Sequence, residues 1–309
     1  MQYLRFAPLG RDLSRLVLGT AAYEQAPLDV ALDLFDSYRD LGGNVVDTGR
    51  EYGNAEPILG RWLRERRLDR EVVVLTKGAH HDNDTGRKRV NPAEITADLH
   101  ESLRALGRPA IDVYCLHRDD PAVPVGPILE TLDEHRRAGR VRVIGASNWS
   151  AARLEEAARY AARHGLDGFA CSSPGLSLAA PRAEPWPGCV TIHEPEARAW
   201  YARRQLPVFA WASLAGGFFA GVRSPDVTRV YETTANRERL HRAQALAARK
   251  DATPGQVALA WVLHQPFPTY ALIGPRSVAE LRESVGALDL ALMPAESRWL
   301  DLEEDPAER

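Results

Sequence analysis

The runs Val72-Val73-Val74-Leu75-Thr76-Lys77, Ile111-Asp112-Val113-Tyr114-Cys115-Leu116-His117 and Val143-Ile144-Gly145-Ala146-Ser147-Asn148 set the fold class of this chain. Each is a nearly continuous apolar stretch of strand length that closes on polar residues, and Asn44-Val45-Val46-Asp47, followed by Tyr52-Gly53, has the same form. Strands without polar alternation are buried on both faces, as in a parallel sheet covered by helices. Working outward, strands are expected over 16–19, 44–47, 72–77, 111–117, 141–146, 168–171, 207–211 and 270–273. Helical periods fall between them, over 28–41, 55–65, 92–106, 127–138, 151–164, 194–203, 236–249 with 254–263, and 278–288. Asn91-Pro92 with Glu94, and Ser277 with Glu280, have the spacing of helix N-caps. Eight βα units in 309 residues favour a closed (β/α)8 TIM barrel of the α/β class. An open doubly wound sheet would carry a G-x-G-x-x-G turn after the first strand, and none is present. The expected organisation is a single domain over 1–309 with extra helices and an N-terminal hairpin, within 1–13, covering one barrel end. Two connections, 172–194 and 216–235, are long for a compact domain, and loops of that length are usually functional or disordered.

Composition narrows the function classes. The formal net charge is −3, and the arginine-rich stretch 61–70 is interrupted by Glu65 and Asp69, so the clustered positive footprint of a nucleic-acid binder is missing. The N-terminal residues show no apolar signal region. The uncharged stretch 205–222 holds Pro207, Ser213 and three glycines, which rules against a continuous membrane-spanning helix. Cys115, Cys171 and Cys189 have neither metal-ligand spacing nor a disulfide framework, so no metal is expected and a reducing cytoplasm fits.

Asp47, Tyr52, Lys77 and His117 stand at or just past successive strand ends, where a barrel gathers its reactive groups. Tyr52 is the expected general acid. A phenol with a pKa near ~10 is a poor donor to a carbonyl at neutral pH, and a nearby ammonium, from Lys77, lowers that value. Asp47 would hold the ammonium, and His117 would orient the carbonyl oxygen or relay the proton. Singly, each such residue is more often a cap or a solvated polar group; at consecutive strand ends they form a catalytic set.

Here the chain resembles the aldo-keto reductase superfamily over nearly its whole length. The segment Asp47-Thr48-Gly49-Arg50-Glu51-Tyr52-Gly53 is similar to the family's D-T-A-x-x-Y-G, with Gly49 for alanine. Leu75-Thr76-Lys77, Leu116-His117, Gly145-Ala146-Ser147-Asn148 and Leu272-Ile273-Gly274-Pro275-Arg276-Ser277 match its lysine, histidine, G-x-S-N and cofactor segments. The resemblance implies reduction of an aldehyde or ketone by NADPH or NADH, without metal or flavin, with Asp47, Tyr52, Lys77 and His117 as the tetrad. It further implies that Ser147 and Asn148 bond the nicotinamide carboxamide, and that Trp211 stacks on the ring. Ser213, Leu214, Gly216 and Gly217 would approach the pyrophosphate, and Gly19, Thr20, Gly274 and Ser277 would complete the cofactor cradle. Arg276 would take the adenosine 2′-phosphate, which favours NADPH; Glu283 would face the adenine. The chain departs from the pattern at Ser173, in place of a glutamine, at Glu280, in place of a polar or basic residue, and at Ser284, in place of an asparagine. A carboxylate at 280 that points inward would repel a 2′-phosphate.

The substrate is read from loop residues. His80, His81, Asp82, Arg50, Arg118 and Asp119 follow the catalytic strands and suit a hydroxylated, sugar-like carbonyl, while Tyr23, Trp149 and Trp186 are candidates for an apolar wall. The rival reading is a redox-sensing regulatory subunit that binds cofactor and turns over slowly, as in the channel-associated β-subunits sharing this fold. Oligomeric state has no signature in the sequence.

Overall fold

The computed structural model describes residues 1–23 and 27–303. It opens with an antiparallel hairpin, β1 (Tyr3–Phe6) and β2 (Arg11–Ser14), joined through a turn that ends on left-handed Gly10. Eight parallel strands follow: β3 (Leu16–Gly19), β4 (Val45–Asp47), β5 (Val73–Gly78), β6 (Ile111–Leu116), β7 (Val141–Ser147), β8 (Ser172–Ser173), β9 (Val208–Ala210) and β10 (Thr269–Ile273). They pair in sequence order, and β10 returns to β3, so the sheet closes on itself. The helices are α1 (Leu28–Asp40), α2 (Ala55–Arg66), α3 (Pro92–Leu106), α4 (Val125–Arg137), α5 (Ala151–His164), α6 (Pro195–Arg204), α7 (Pro225–Tyr231), α8 (Thr234–Lys250), α9 (Pro254–Leu263), α10 (Val278–Gly286) and α11 (Pro294–Leu300). This is the (β/α)8 barrel with an N-terminal hairpin expected from the apolar runs.

The period of two along each strand divides the core in two layers. Val17, Val45, Val73, Leu75, Val113, Val143, Phe209 and Tyr270 fill the barrel interior, whereas Leu16, Leu18, Val46, Val74, Tyr114, Ile144 and Ile273 pack outward against the helices. Phe6 of the hairpin plugs the interior from the strands' N-terminal side, edge-on to Phe209 at 5.7 Å and Tyr270 at 6.0 Å. With one end plugged, chemistry is confined to the C-terminal end.

Two sequence expectations are corrected. The strand placed at 168–171 lies at Ser172–Ser173, paired with Ala146, Ser147 and Val208. The apolar stretch before it is drawn in as well, since Ala170 donates to the Ile144 carbonyl, but the regular ladder falls on two serines. They are tolerated there because Ser172 Oγ bonds Tyr201 Oη and the Ser173 carbonyl accepts from Ser147. The connection 216–235 contains a helix, α7, whose N-cap is the Ser224 side chain accepting from the Val227 amide. Among the described residues no helix is long and apolar enough to cross a membrane.

Candidate active site

Parallel pairing brings Asp47, Lys77, His117 and Ser147 to one end of the barrel. The ladder continues past the strand ends: Thr20 donates to the Asp47 carbonyl, Thr48 to Leu75, Arg50 to Lys77 and His117 to Gly78. These backbone bonds fix the loop that carries Tyr52. Lys77 Nζ lies 2.7 and 2.6 Å from the two Asp47 carboxylate oxygens and 3.0 Å from the Thr48 carbonyl, and the pair is almost wholly buried. The ammonium also sits 5.1 Å from the centre of the Tyr52 ring. Tyr52 Oη and His117 Nε2 stand 3.5 Å apart, with the rings edge to face. The four residues expected to act together are in one cluster.

The electrostatics refine the expected tuning. Burial pulls the Lys77 ammonium down, but Asp47 and Tyr52 outweigh it, so its pKa is raised and the charge is retained. Burial also pushes the Tyr52 phenol up; Lys77 pulls it back without cancelling that rise. Lys77 thus lowers the phenol as expected, but burial outweighs it, and in the protein by itself Tyr52 stays protonated at neutral pH, as a proton donor must. His117 is held well below the usual imidazole range by burial and then by Lys77, Arg118, His80 and His81. It is neutral, and its Nδ1 is buried with no partner among the described residues.

His80 extends this cluster, with its ring 4.7 Å from His117 and its Nδ1 2.9 Å from the His81 carbonyl. Burial, then Arg118, lowers its pKa to about 4. Above the ordinary imidazole value of ~6.5 both folded and unfolded chains hold it neutral. As the pH falls from there towards about 4 the unfolded chain binds protons that folded His80 and His117 refuse, so stability declines across that window. Urea midpoints at pH 7.5 and 5.0 are expected to fall in that order, and less steeply in His80→Gln; an equal slope in the variant would remove His80 from the account.

Other expected mouth residues take different places. Tyr23 is buried, with its hydroxyl on the Pro275 carbonyl at 2.7 Å. Trp149 is fully buried against Phe169 and donates to the Arg118 carbonyl at 3.1 Å. Both are core residues, not a substrate wall, because their polar ends find backbone partners inside. Arg118 is buried too, donating to the carbonyls of His117 and Pro187, and Asp119 pairs with Arg153. Trp186 is 59% exposed. Sequence reasoning overlooked Asp98, which accepts from the Ala79 amide at 2.8 Å, grips Arg89 through both oxygens and reaches Arg50 at 3.3 Å. It thereby ties the end of β5 to the Tyr52 loop. Its signal was visible: an aspartate beside Ile95, Leu99 and Leu106 in the stripe of α3 that faces the core.

The sequence model described as the aldo/keto reductase family matches residues 15–301. The chain belongs to this family. An oxidoreductase of Bacillus subtilis, named as uncharacterized, is 30% identical over 94% of this chain and 92% of its own length. An aldo-keto reductase of Schizosaccharomyces pombe, named with NADP(+), is 29% identical over 83% of this chain and 77% of its own. A putative voltage-gated potassium channel subunit beta from the same yeast is 27% identical over 81% and 76%. The aldo/keto reductase assignment makes this chain an oxidoreductase of a nicotinamide-using family.

The residues present suit such a cofactor. Thr20 Oγ1 just past β3, Ser173 Oγ at the end of β8 and Trp211 Nε1 just past β9 are buried polar atoms with no partner among the described residues. Gly19, on the same rim as Thr20, is close to the Ile273 carbonyl. Past β9, Gly216 and Gly217 have φ of +64° and +87°, which only glycine adopts without strain, so the backbone after Leu214 curls tightly. Ser213 Oγ is engaged by the Ala210 carbonyl. Ser147 Oγ donates to Ser173 O at 2.7 Å, while Asn148 bonds Ser147 Oγ, the His117 carbonyl and the Val190 amide. At the other rim, Gly274 leads to Arg276, and Ser277 caps α10 by accepting from the Glu280 amide. Glu280 accepts from the Arg276 guanidinium at 3.0 Å and from its amide at 2.8 Å. Glu283 accepts from Thr253 Oγ1, and Ser284 Oγ bonds the Glu280 carbonyl. The carboxylate at 280 therefore sits on Arg276 itself.

Proposed function

We propose that this protein reduces an aldehyde or ketone to the alcohol with NAD(P)H, Tyr52 acting as general acid. The observation that carries the reading is the buried Lys77–Asp47 pair beneath the Tyr52 ring, with Tyr52 Oη beside His117 Nε2. The nicotinamide, when bound, supplies a hydride to the carbonyl carbon. Tyr52 gives its proton to the carbonyl oxygen as negative charge develops there. Lys77 stabilises the phenolate left behind, Asp47 keeps the ammonium in place, and neutral His117 orients the oxygen through its ring N–H. Ser147, Asn148, Ser173 and Trp211 would hold the nicotinamide end, the loop from Ser213 to Gly217 the pyrophosphate, and Arg276 with Ser277 the adenosine end. The free cysteines support a reducing cytoplasm as the working compartment. Oxidation of NADPH or NADH with a panel of aldehydes and ketones tests the reading; a folded, cofactor-binding protein inert to the whole panel would refute it. The likeness to a channel subunit beta supports the second reading, a slow cofactor-binding regulator, and turnover far slower than cofactor exchange would favour it.

NADPH is the expected cofactor, with Arg276 as the 2′-phosphate ligand. Its pair with Glu280 is exposed and weak, so the guanidinium can turn to a phosphate. Arg276→Ala is expected to weaken NADPH roughly tenfold, at the low end for a lost charged hydrogen bond, with a smaller effect on NADH. Glu280→Gln is expected to shift preference further towards NADPH. Fluorescence titration of both cofactors checks this, and equal losses for the two in Arg276→Ala would show that Arg276 does not read the phosphate.

A further inference from the structure

Asp98 makes more bonds than its place in α3 requires. Its side chain is only 1% exposed, on a face shared with Ile95, Leu99 and Leu106. Taking a carboxylate out of water is costly even when it is paired, and apolar packing of similar volume is often as stable or more so. Packing of α3 alone is therefore a poor reason for an aspartate here. The Asp98 oxygens reach three segments around the reactive cluster. Oδ2 accepts from the Ala79 amide at 2.8 Å, the two oxygens accept from the Arg89 guanidinium at 2.9 and 2.6 Å, and Oδ1 lies 3.3 Å from Arg50 Nε. Ala79, two residues past Lys77, is buried with a φ of +59°, a left-handed backbone that a residue with a Cβ adopts only under strain. Asp98 holds the amide of that turn. A Cβ on the intervening Gly78 would stand 2.0 Å from Tyr114 Oη and 2.9 Å from Asp98 Cβ, so α3 presses directly on the end of β5. Arg50, two residues before Tyr52, donates its amide to the Lys77 carbonyl at 2.9 Å, and His117 donates its own to the Gly78 carbonyl at 2.7 Å. Arg89 also reaches the His80 carbonyl at 3.4 Å, beside the ring that packs on His117.

From this convergence, and resting on the carbonyl-reductase reading above, we infer that Asp98 is a positioning residue for proton transfer: one carboxylate behind β5 fixes the end of the Lys77 strand, the Tyr52 loop and the His80 segment relative to one another. Asp47 and Asp98 divide the work. Asp47, inside the barrel rim, holds the Lys77 ammonium itself, whereas Asp98, on the helix side, holds the backbone on either side of the proton donor. Asp98 touches neither Tyr52 nor the space a substrate would fill. Its removal therefore changes how well Tyr52 Oη is placed against a carbonyl oxygen, and leaves the cofactor's own contacts alone. Catalytic groups are sensitive to such displacement, since a shift of about 1 Å can cost on the order of a hundredfold in rate.

The test uses the full chain as parent, Asp98→Asn, Arg50→Gln and the double variant. Asp98→Asn keeps the shape but gives up the charge and one of the two accepting atoms. Arg50→Gln acts at the partly exposed end of the network and leaves the buried Asp98–Arg89 pair intact, so it reports even where Asp98→Asn fails to fold. Each protein is loaded with reduced cofactor and mixed with an aldehyde, and the single-turnover rate is followed beside the cofactor dissociation constant and the aldehyde KM. The rate is expected to fall about ten- to a hundredfold in Asp98→Asn and about three- to tenfold in Arg50→Gln, with both binding constants within about twofold of the parent's. The double variant should be no slower than Asp98→Asn, because Arg50 acts through the carboxylate. Hydrogen exchange of the cofactor-free proteins gives a readout independent of turnover: amides at 48–53 and 78–81 should exchange faster in the variants, while those of α4 and α5 keep the parental rate. A folded Asp98→Asn with the parental rate, additive losses in the double variant, or a rate that falls only as cofactor affinity falls overturns the inference and leaves carbonyl reduction standing. Where Asp98→Asn does not fold, a parental rate and parental exchange in Arg50→Gln overturn it. A parent inert to every aldehyde refutes the reading beneath it, and exchange at 48–53 that ignores both substitutions then refutes the positioning role as well.

Discussion

Tyr52→Phe is expected to lower turnover by at least a hundredfold while leaving cofactor affinity nearly unchanged. Positioned acid catalysis contributes roughly 10²–10⁴-fold, and the substitution removes one oxygen only. The ring that lies over Lys77 at 5.1 Å remains, so the packing around the buried ion pair is preserved. His117 cannot take over, because burial and the surrounding cations hold it neutral and far from an imidazolium acid. Steady-state rates with one aldehyde, beside cofactor titration by fluorescence, give the two numbers. Turnover close to the parent's in a folded variant would dismiss Tyr52 as the proton donor.

Lys77→Met is expected to damage both rate and stability. Without the ammonium, the main force that pulls the Tyr52 phenol down is gone, and burial pushes it up against only the weaker pull of Arg118. The alkaline limb of the pH–rate profile, where the acid loses its proton, should therefore move to higher pH as turnover drops. The same change strands Asp47, whose carboxylate is bonded to Lys77 through both oxygens in a fully buried position. Breaking one side of such a pair costs about 3–5 kcal/mol, and the remaining acid is driven to take up a proton. Asp47→Asn combined with Lys77→Met should recover part of that loss, since no buried charge is left unmatched. Superimposable pH–rate profiles for parent and Lys77→Met would show that Lys77 does not tune Tyr52, and an unchanged denaturation midpoint would contradict the burial argument.

How far the site was legible differs residue by residue. Asp47, Lys77 and His117 could be located because each ends or follows an apolar run, and a parallel barrel must deliver all such ends to one rim. Tyr52 followed from its short spacing to Asp47. Tyr23, Trp149 and Arg118 were misjudged because a loop side chain beside a catalytic strand can turn outward to substrate or inward to a backbone carbonyl. Their hydroxyl, indole and guanidinium groups found carbonyls at Pro275, Arg118, His117 and Pro187, partners remote in sequence or invisible in it. The reverse holds for Asp98: its place on the buried face of α3 can be read from the sequence, but its partners at Ala79, Arg89 and Arg50 cannot.

Local pattern alone determined the class of this protein. Strand runs buried on both faces, helices between them, and the spacing of Asp47, Tyr52, Lys77 and His117 are short-range properties, written in the order of residues, and they led to a closed barrel with a proton-donating cluster at one rim, which the resemblance to aldo-keto reductases turned into an oxidoreductase reading. The tertiary structure decided everything that depends on pairing across the chain. The β8 ladder landed on Ser172 and Ser173 because register is fixed by neighbours at Ala146, Ser147 and Val208, not by the apolarity of Phe169 to Cys171. The Tyr52 phenol sits above its ordinary pKa because burial, a sum over many distant residues, outweighs the one ammonium that the motif announces. Trp186 is left in the open while Trp149 is sealed in the core, since exposure depends on which backbone groups fold over a side chain, and no spacing in a sequence records that.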